Sequence, residues 1–156
     1  LYLQRECGYD APGLEALLDK ESGLKGVSGE TADMETLLEL RAGGHQDAAQ
    51  AVEMYCYRAR KTIGSLAAVM GGVDLLVFAG GIGENAAIIR ALICRGLEHL
   101  GIELDPAKNC ANADIISSEG ATCAVRIVRT NEDLMISRHT YAVVFGGANP
   151  PEGGMQ

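Results

Sequence analysis

Six residues, Gly80-Gly81-Ile82-Gly83-Glu84-Asn85, follow the apolar run "VDLLVFA" and precede a segment of helical periodicity. Glycines between a strand and a helix let backbone N–H groups approach a nucleotide closely. Residues 81–86 satisfy the dinucleotide pattern G-x-G-x-x-G/A, and Glu103 lies about 20 residues on, where a ribose-binding acid is expected. Glu84 speaks against that reading. A pyrophosphate would rest on the first turn of the following helix, and Glu84 places a carboxylate there. The plain alternative is a tight turn in which Glu84 favours a helix N-terminus.

Two further acids stand where chemistry or simple capping would put them. Asp33 precedes a short stretch with Met34, Leu37 and Leu38 on one side, the position of an N-cap. Glu132 lies in the first turn of a predicted helix, where the helix dipole favours an acid. Thr130 and Asp133 have capping-box spacing at the same start, with Asp in place of Glu or Gln. His45, His99 and His139 receive no chemical role. The five cysteines form no C-x-x-C pair, so neither a zinc site nor a disulfide framework is indicated. They read as small apolar fillers in a reducing, cytoplasmic setting.

These residues need a scaffold, and 156 residues with 47% apolar content can build one domain with a substantial core. A net charge of −8 argues against nucleic acid and anionic membrane surfaces as partners, since both require clustered Lys and Arg. No apolar run approaches the roughly 20 residues of a membrane span. The start, "LYLQREC", has no features of a signal peptide and does not begin with Met, so a piece of a longer chain is expected.

Residues 1–6 read as a helix end stopped by Gly8, and Asp10 and Pro12 open a helix through Leu14, Leu17 and Leu18. Residues 20–30, with three glycines and two serines, read as a loop. Residues 46–70 carry the longest helical stripe, Val52, Tyr55, Cys56, Ala59, Ile63, Leu66, Ala67 and Met70. Gly64 inside it suggests a close helix contact. Residues 73–79 read as a buried parallel strand, and residues 101–104 as a second strand after the helix, giving one βαβ unit. Residues 113–117 and 123–128 are further strand candidates, followed by a helix from residue 130.

The longer string "VDLLVFAGGIGENAAIIRALICRGLEHLGIELD" resembles a stretch of the acetate kinase (acetokinase) family, with its GGIGEN-type turn. "LLDKESGLKGVSGETADM" and "RTNEDLMISRHT" resemble two further blocks of that family, at matching spacing, so the likeness covers residues 1–144. It implies an α/β fold: part of a ribonuclease-H-like lobe of the actin, sugar kinase and heat-shock ATPase type, with a helical insertion in the N-terminal half. Residues 1–145 would be the C-terminal, nucleotide-binding portion, and the Gly- and Pro-rich residues 146–156 a disordered tail.

The activity implied is phosphoryl transfer between ATP and acetate, giving acetyl phosphate and ADP, with Mg2+. Gly81, Ile82, Gly83, Glu84 and Asn85 would line the adenosine side of ATP or ADP. Asp33 matches the acid of a D-x-R element that also touches the nucleotide, but Glu35 stands here in place of the Arg. Glu132 matches the carboxylate associated with Mg2+. The family's phosphate loop, acetate pocket and phosphoryl-stabilising Arg and His precede this segment. No catalytic residue is therefore expected here, and the chain alone should be inactive with weak nucleotide affinity at most. Its partners would be ATP or ADP, acetate, the missing N-terminal lobe and a second copy in a homodimer, with residues 46–70 a candidate surface. Propionate kinase, a Rossmann-type dinucleotide module and a non-catalytic dimerisation module are the alternatives.

Overall fold

The computed structural model describes residues 2–145, apart from the side chains of Glu132 and Phe145. The tail expected at residues 146–156 lies outside the described residues. The elements run α1 (Tyr2–Glu6), α2 (Ala11–Ala16, continued by a π turn Leu17–Glu21), α3 (Gly23–Ser28), α4 (Met34–Ala42), α5 (Gln46–Met70) and β1 (Leu75–Ala79). Then follow α6 (Gly80–Asn85), α7 (Ala87–Cys94), a 3₁₀ turn (Glu98–Leu100), α8 (Pro106–Cys110), β2 (Ala124–Val128) and α9 (Glu132–Phe145). No helix among the described residues is long and apolar enough to cross a membrane.

The α5 helix organises the core. It packs against α3, α4 and α7, and buries Ala48, Ala51, Val52, Cys56 and Ala67. The predicted stripe holds as core through Ala67, with Ala59 and Ile63 partly buried against it, but Leu66 and Met70 are exposed. Gly64 meets nothing within 4 Å, so no close helix contact explains it. Arg60 reaches from α5 to the end of α7, its Nε and Nη2 donating to the carbonyls of Ile93 (3.2 Å) and Leu92 (2.5 Å). These are last-turn carbonyls that α7 itself leaves without partners.

Residues 20–30 are not simply a loop. They hold α3, whose Leu24 and Val27 pack on the core, and that burial overrides the weak helix propensity of glycine. Gly29, at φ +71, ends α3 in the left-handed conformation.

β1 and β2 pair in parallel, with Leu76 opposite Val125 and Phe78 opposite Ile127. Those four side chains face the helices, and Val125 and Ile127 are buried. The intervening Leu75 and Val77 are 49% and 45% exposed. The strand expected to be buried on both faces is therefore covered on one, and alternates accordingly.

The expected strand at residues 101–104 is also corrected. β1 takes β2 as its partner, while Leu104 makes only an isolated antiparallel bridge to Ser117. Left-handed Gly101 opens the segment and the Asp105 N-cap of α8 follows it, which leaves too few extended residues for a ladder. Residues 113–117 contribute only isolated bridges, Ile115 to Arg126 being the other.

Candidate functional site

The glycine segment is a short helix in its own right, α6, set directly on the end of β1. Gly80 sits at the corner with φ +71, a conformation that favours glycine. Gly83 lies so close to β1 that a Cβ there would stand 3.2 Å from the Phe78 carbonyl carbon. Gly83→Ala should therefore destabilise the chain by about 1–2 kcal/mol, through overpacking against backbone. A fall in the urea midpoint at constant m-value checks this. Ala86 breaks the helical path between α6 and α7, with φ −98 and ψ 79, so the helix predicted after the turn is two pieces and ends at Cys94.

Gly81 differs from its neighbours. Its φ is not positive, and a Cβ built on it meets nothing within 4 Å. Inside a helix, glycine is about 1 kcal/mol worse than alanine, so the fold gains nothing from glycine at this position. Gly81 does, however, line an open cavity of about 390 Å³ together with Gly80, Ile82, Gly83, Tyr55, Phe78, Ile89 and Ile93. That volume falls in the range of small-molecule sites, and the wall combines apolar side chains with glycine backbone. Sequence reasoning placed Tyr55 in the core stripe and Ile89 and Ile93 on a helix face. Their common cavity depends on α5, α7 and β1 meeting, which periodicity does not reveal.

Glu84 turns inward. Its Oε1 accepts from the Gly80 N–H (2.9 Å), the Thr130 N–H (2.9 Å) and the Thr130 hydroxyl (2.8 Å). The Thr130 bonds, backbone first, hold the carboxyl below its usual range; the Gly80 bond and nearby Arg129 act in the same direction. A carboxylate with a depressed folded-state pKa adds stability above its unfolded value and loses it as pH falls through the folded one. The Thr130 amide resonance should thus hold until below the ordinary glutamate range, then move on acidification. Glu84→Gln should remove that step from an NMR pH titration. Asn85 is spent locally as well, its Nδ2 donating to the Gly81 carbonyl at 3.0 Å.

One residue that sequence reasoning missed dominates the far side of α6. Arg90 is fully buried. Its Nη1 donates to the carbonyls of Gly83 (2.8 Å) and Glu84 (3.0 Å), and its Nε to Asn109 Oδ1 (2.7 Å). Its Nη2 donates to the Asn109 carbonyl (2.7 Å) and to Asn112 Oδ1 (2.5 Å). Among the described residues it forms no ion pair with a carboxylate, and burial pulls its pKa below the ordinary guanidinium value. The available signal was a single arginine flanked by Ile89, Leu92 and Ile93, because a charge at core positions of a helix must be satisfied internally.

Asp33 is the N-cap of α4. Its Oδ2 accepts from the Thr36 N–H (2.8 Å) and hydroxyl (2.7 Å), and the hydroxyl bond leads in lowering its pKa. It does not line the cavity at the glycine segment. Glu35, in the position of the expected Arg, is exposed. Glu132 begins α9, with its side chain outside the described residues. The predicted Thr130 cap is replaced by Asn131, whose Oδ1 accepts from the Leu134 N–H at 2.9 Å, because Thr130 is engaged by Glu84. Among the described residues no group of three or more His, Cys, Asp or Glu converges. Mg2+ in a phosphoryl-transfer site takes one or two carboxylates and completes its shell with water and phosphate oxygens, a donor chemistry that a glutamate such as Glu132 can supply.

His45 is the N-cap of α5, its Nδ1 accepting from the Ala48 N–H at 3.3 Å. All five cysteines are free; Cys56, Cys94 and Cys123 are buried fillers, with burial pushing the Cys94 thiol up to about 12, whereas Cys7 and Cys110 are exposed and fill no core position. Glu103 is exposed and follows no strand paired with β1, so it has no ribose-binding placement of the dinucleotide kind.

Comparison with known proteins gives a consistent family. The model of the Acetokinase family matches residues 1–138. An acetate kinase of Coprothermobacter proteolyticus is 46% identical over 148 residues, covering 94% of this chain and 37% of the relative. The crystal structure of Porphyromonas gingivalis acetate kinase superposes with a TM-score of 0.81 at 36% identity, covering 92% of this chain and 37% of that one. A propionate kinase from Francisella tularensis gives 0.79 at 36% identity, covering 86% of this chain and 35% of that one. The chain thus spans a little over a third of the length of the relatives it matches.

Proposed function

The chain belongs to the acetokinase family, with that family's actin- and sugar-kinase-like fold, and from that premise we propose that it forms part of the nucleoside site of a short-chain carboxylate kinase. The carrying observation is Gly81, a glycine that the fold does not require, placed on the wall of the cavity beside Tyr55, Ile89 and Ile93. Adenosine would lie there, with Gly81, Ile82 and Gly83 admitting it and Glu84 and Asn85 holding the segment in shape. Asp33, which does not line that cavity, would touch the nucleotide outside it. Glu132 would hold Mg2+, which when bound supplies charge neutralisation at the phosphates.

The reaction proposed for the whole enzyme is transfer of a phosphoryl group between ATP and acetate. This segment would supply positioning, since the family likeness implies that the cations stabilising a transferring phosphoryl come from outside it. Propionate is the alternative carboxylate, given the likeness to a propionate kinase. Association of two copies would use the exposed side of α5, where Tyr57, Val69 and Met70 stand out.

Titration of the chain with Mg-ADP and separately with NAD, followed by amide NMR, tests the reading. ADP should shift Gly81, Ile82 and Gly83 at lower concentration than NAD does. Tighter NAD binding would favour a dinucleotide module, and a dimer indifferent to both would favour an association module. Acetyl phosphate formation by the chain alone should be negligible.

A further inference from the structure

The Glu84 carboxylate joins two places far apart in the chain. One is Gly80, the first residue of α6, and the other is Thr130, two residues before α9 begins. All three hydrogen bonds converge on the same oxygen, from two backbone N–H groups and one hydroxyl. Charge-assisted bonds of this kind are stronger than neutral ones and fix geometry. No other hydrogen bond described for Thr130 competes with them. A hydroxyl that would otherwise cap α9 has been redirected to Glu84, and Asn131 caps the helix instead.

We propose that Glu84 is a positioning residue, a clamp that fixes the start of α9 against the glycine segment so that the two shift as one. Glu132, the proposed metal-side acid, is the first residue of α9. On the nucleotide reading above, on which this role rests for what it transmits, the clamp links the nucleoside end of the site to the metal end. Glu84 then touches no ligand and acts through the backbone at both of its ends. α6 is held from its other side by Arg90, which takes the carbonyls of Gly83 and Glu84. The segment is thereby restrained at its first amide and at its last carbonyls, and the first restraint is the one shared with α9.

The test is amide hydrogen exchange and NMR on the whole chain, comparing wild type with Glu84→Ala and Thr130→Val. The valine variant keeps the shape and the N–H but removes the hydroxyl donor, and serves if the alanine variant fails to fold. In Glu84→Ala, protection at Gly80 and Thr130 should fall together, on the order of tenfold or more, while α5 amides keep theirs. Thr130→Val should lower protection at Gly80 although its substitution lies 50 residues away in sequence. Glu84→Gln, which retains an acceptor oxygen, should restore part of it. Mg-ADP should move the amides of Leu134, Met135 and Ile136 in wild type and leave them still in Glu84→Ala. Independent loss at the two ends, or an α9 response to Mg-ADP that survives Glu84→Ala, would overturn the clamp. If Mg-ADP shifts nothing in wild type, the nucleotide reading fails while the exchange data still decide the clamp.

Discussion

Replacing Arg90 by Met is expected to destabilise the chain by about 3–5 kcal/mol, a sizeable part of the roughly 5–15 kcal/mol that stabilises an ordinary domain. Methionine fills much of the space but donates nothing. It would leave the carbonyls of Gly83, Glu84 and Asn109 and the side-chain oxygens of Asn109 and Asn112 without the guanidinium that serves them. Each buried acceptor so abandoned costs about 1–3 kcal/mol, less whatever water can recover. Lysine retains charge but is a point donor without the planar fork, so Arg90→Lys should still cost about 2 kcal/mol or more. Urea unfolding followed by circular dichroism measures both. A loss below about 1 kcal/mol in Arg90→Met would mean that these contacts are not what holds α6 to α8.

The second large effect lies at Gly101. Its φ is +76, and a Cβ would stand 1.8 Å from Thr122 Oγ1, 3.1 Å from Thr122 Cβ and 3.2 Å from the Cys123 nitrogen. The hydroxyl can rotate away, but the Cβ and the backbone nitrogen move only with the chain. That nitrogen also donates to the Gly101 carbonyl at 3.1 Å, so the two strands of chain are already bound at this point. Left-handed strain and overpacking together should make Gly101→Ala about 2–4 kcal/mol less stable. In a Thr122→Ala background the penalty should shrink without vanishing, because the backbone strain remains. A double-mutant cycle from urea midpoints separates the two parts.

Both residues illustrate what a sequence does and does not disclose. α5 was legible to its end residues, because a 25-residue amphipathic pattern closed by Gly71 leaves little choice. The Asp33 cap and the β1-to-glycine corner were legible for similar local reasons. The pairing of β1 with β2 across the whole of α6–α8 was not, since a non-local partner leaves no local trace. Nor was α3, where burial of Leu24 and Val27 outweighs glycine content. Arg90 drew no reading from the sequence, and only the fold shows it enclosed. At the site, the family likeness singled out Asp33, Gly81, Ile82, Gly83, Glu84, Asn85 and Glu132; Gly81, Ile82 and Gly83 line the cavity, and Asp33, Glu84 and Asn85 do not. It could not show that the Glu84 carboxylate turns inward to Thr130, a contact across 46 residues.

The central claim is that the cavity at Gly81 receives the nucleoside, and Gly81→Ala tests it most directly. The fold has no use for glycine there, so the variant should be as stable as wild type or up to about 1 kcal/mol more stable. Its methyl group would project into the space the nucleoside needs, so ADP affinity, read from amide shifts at Ile82 and Gly83, should fall at least about tenfold. A well-folded Gly81→Ala chain that binds ADP as tightly as wild type would contradict the account.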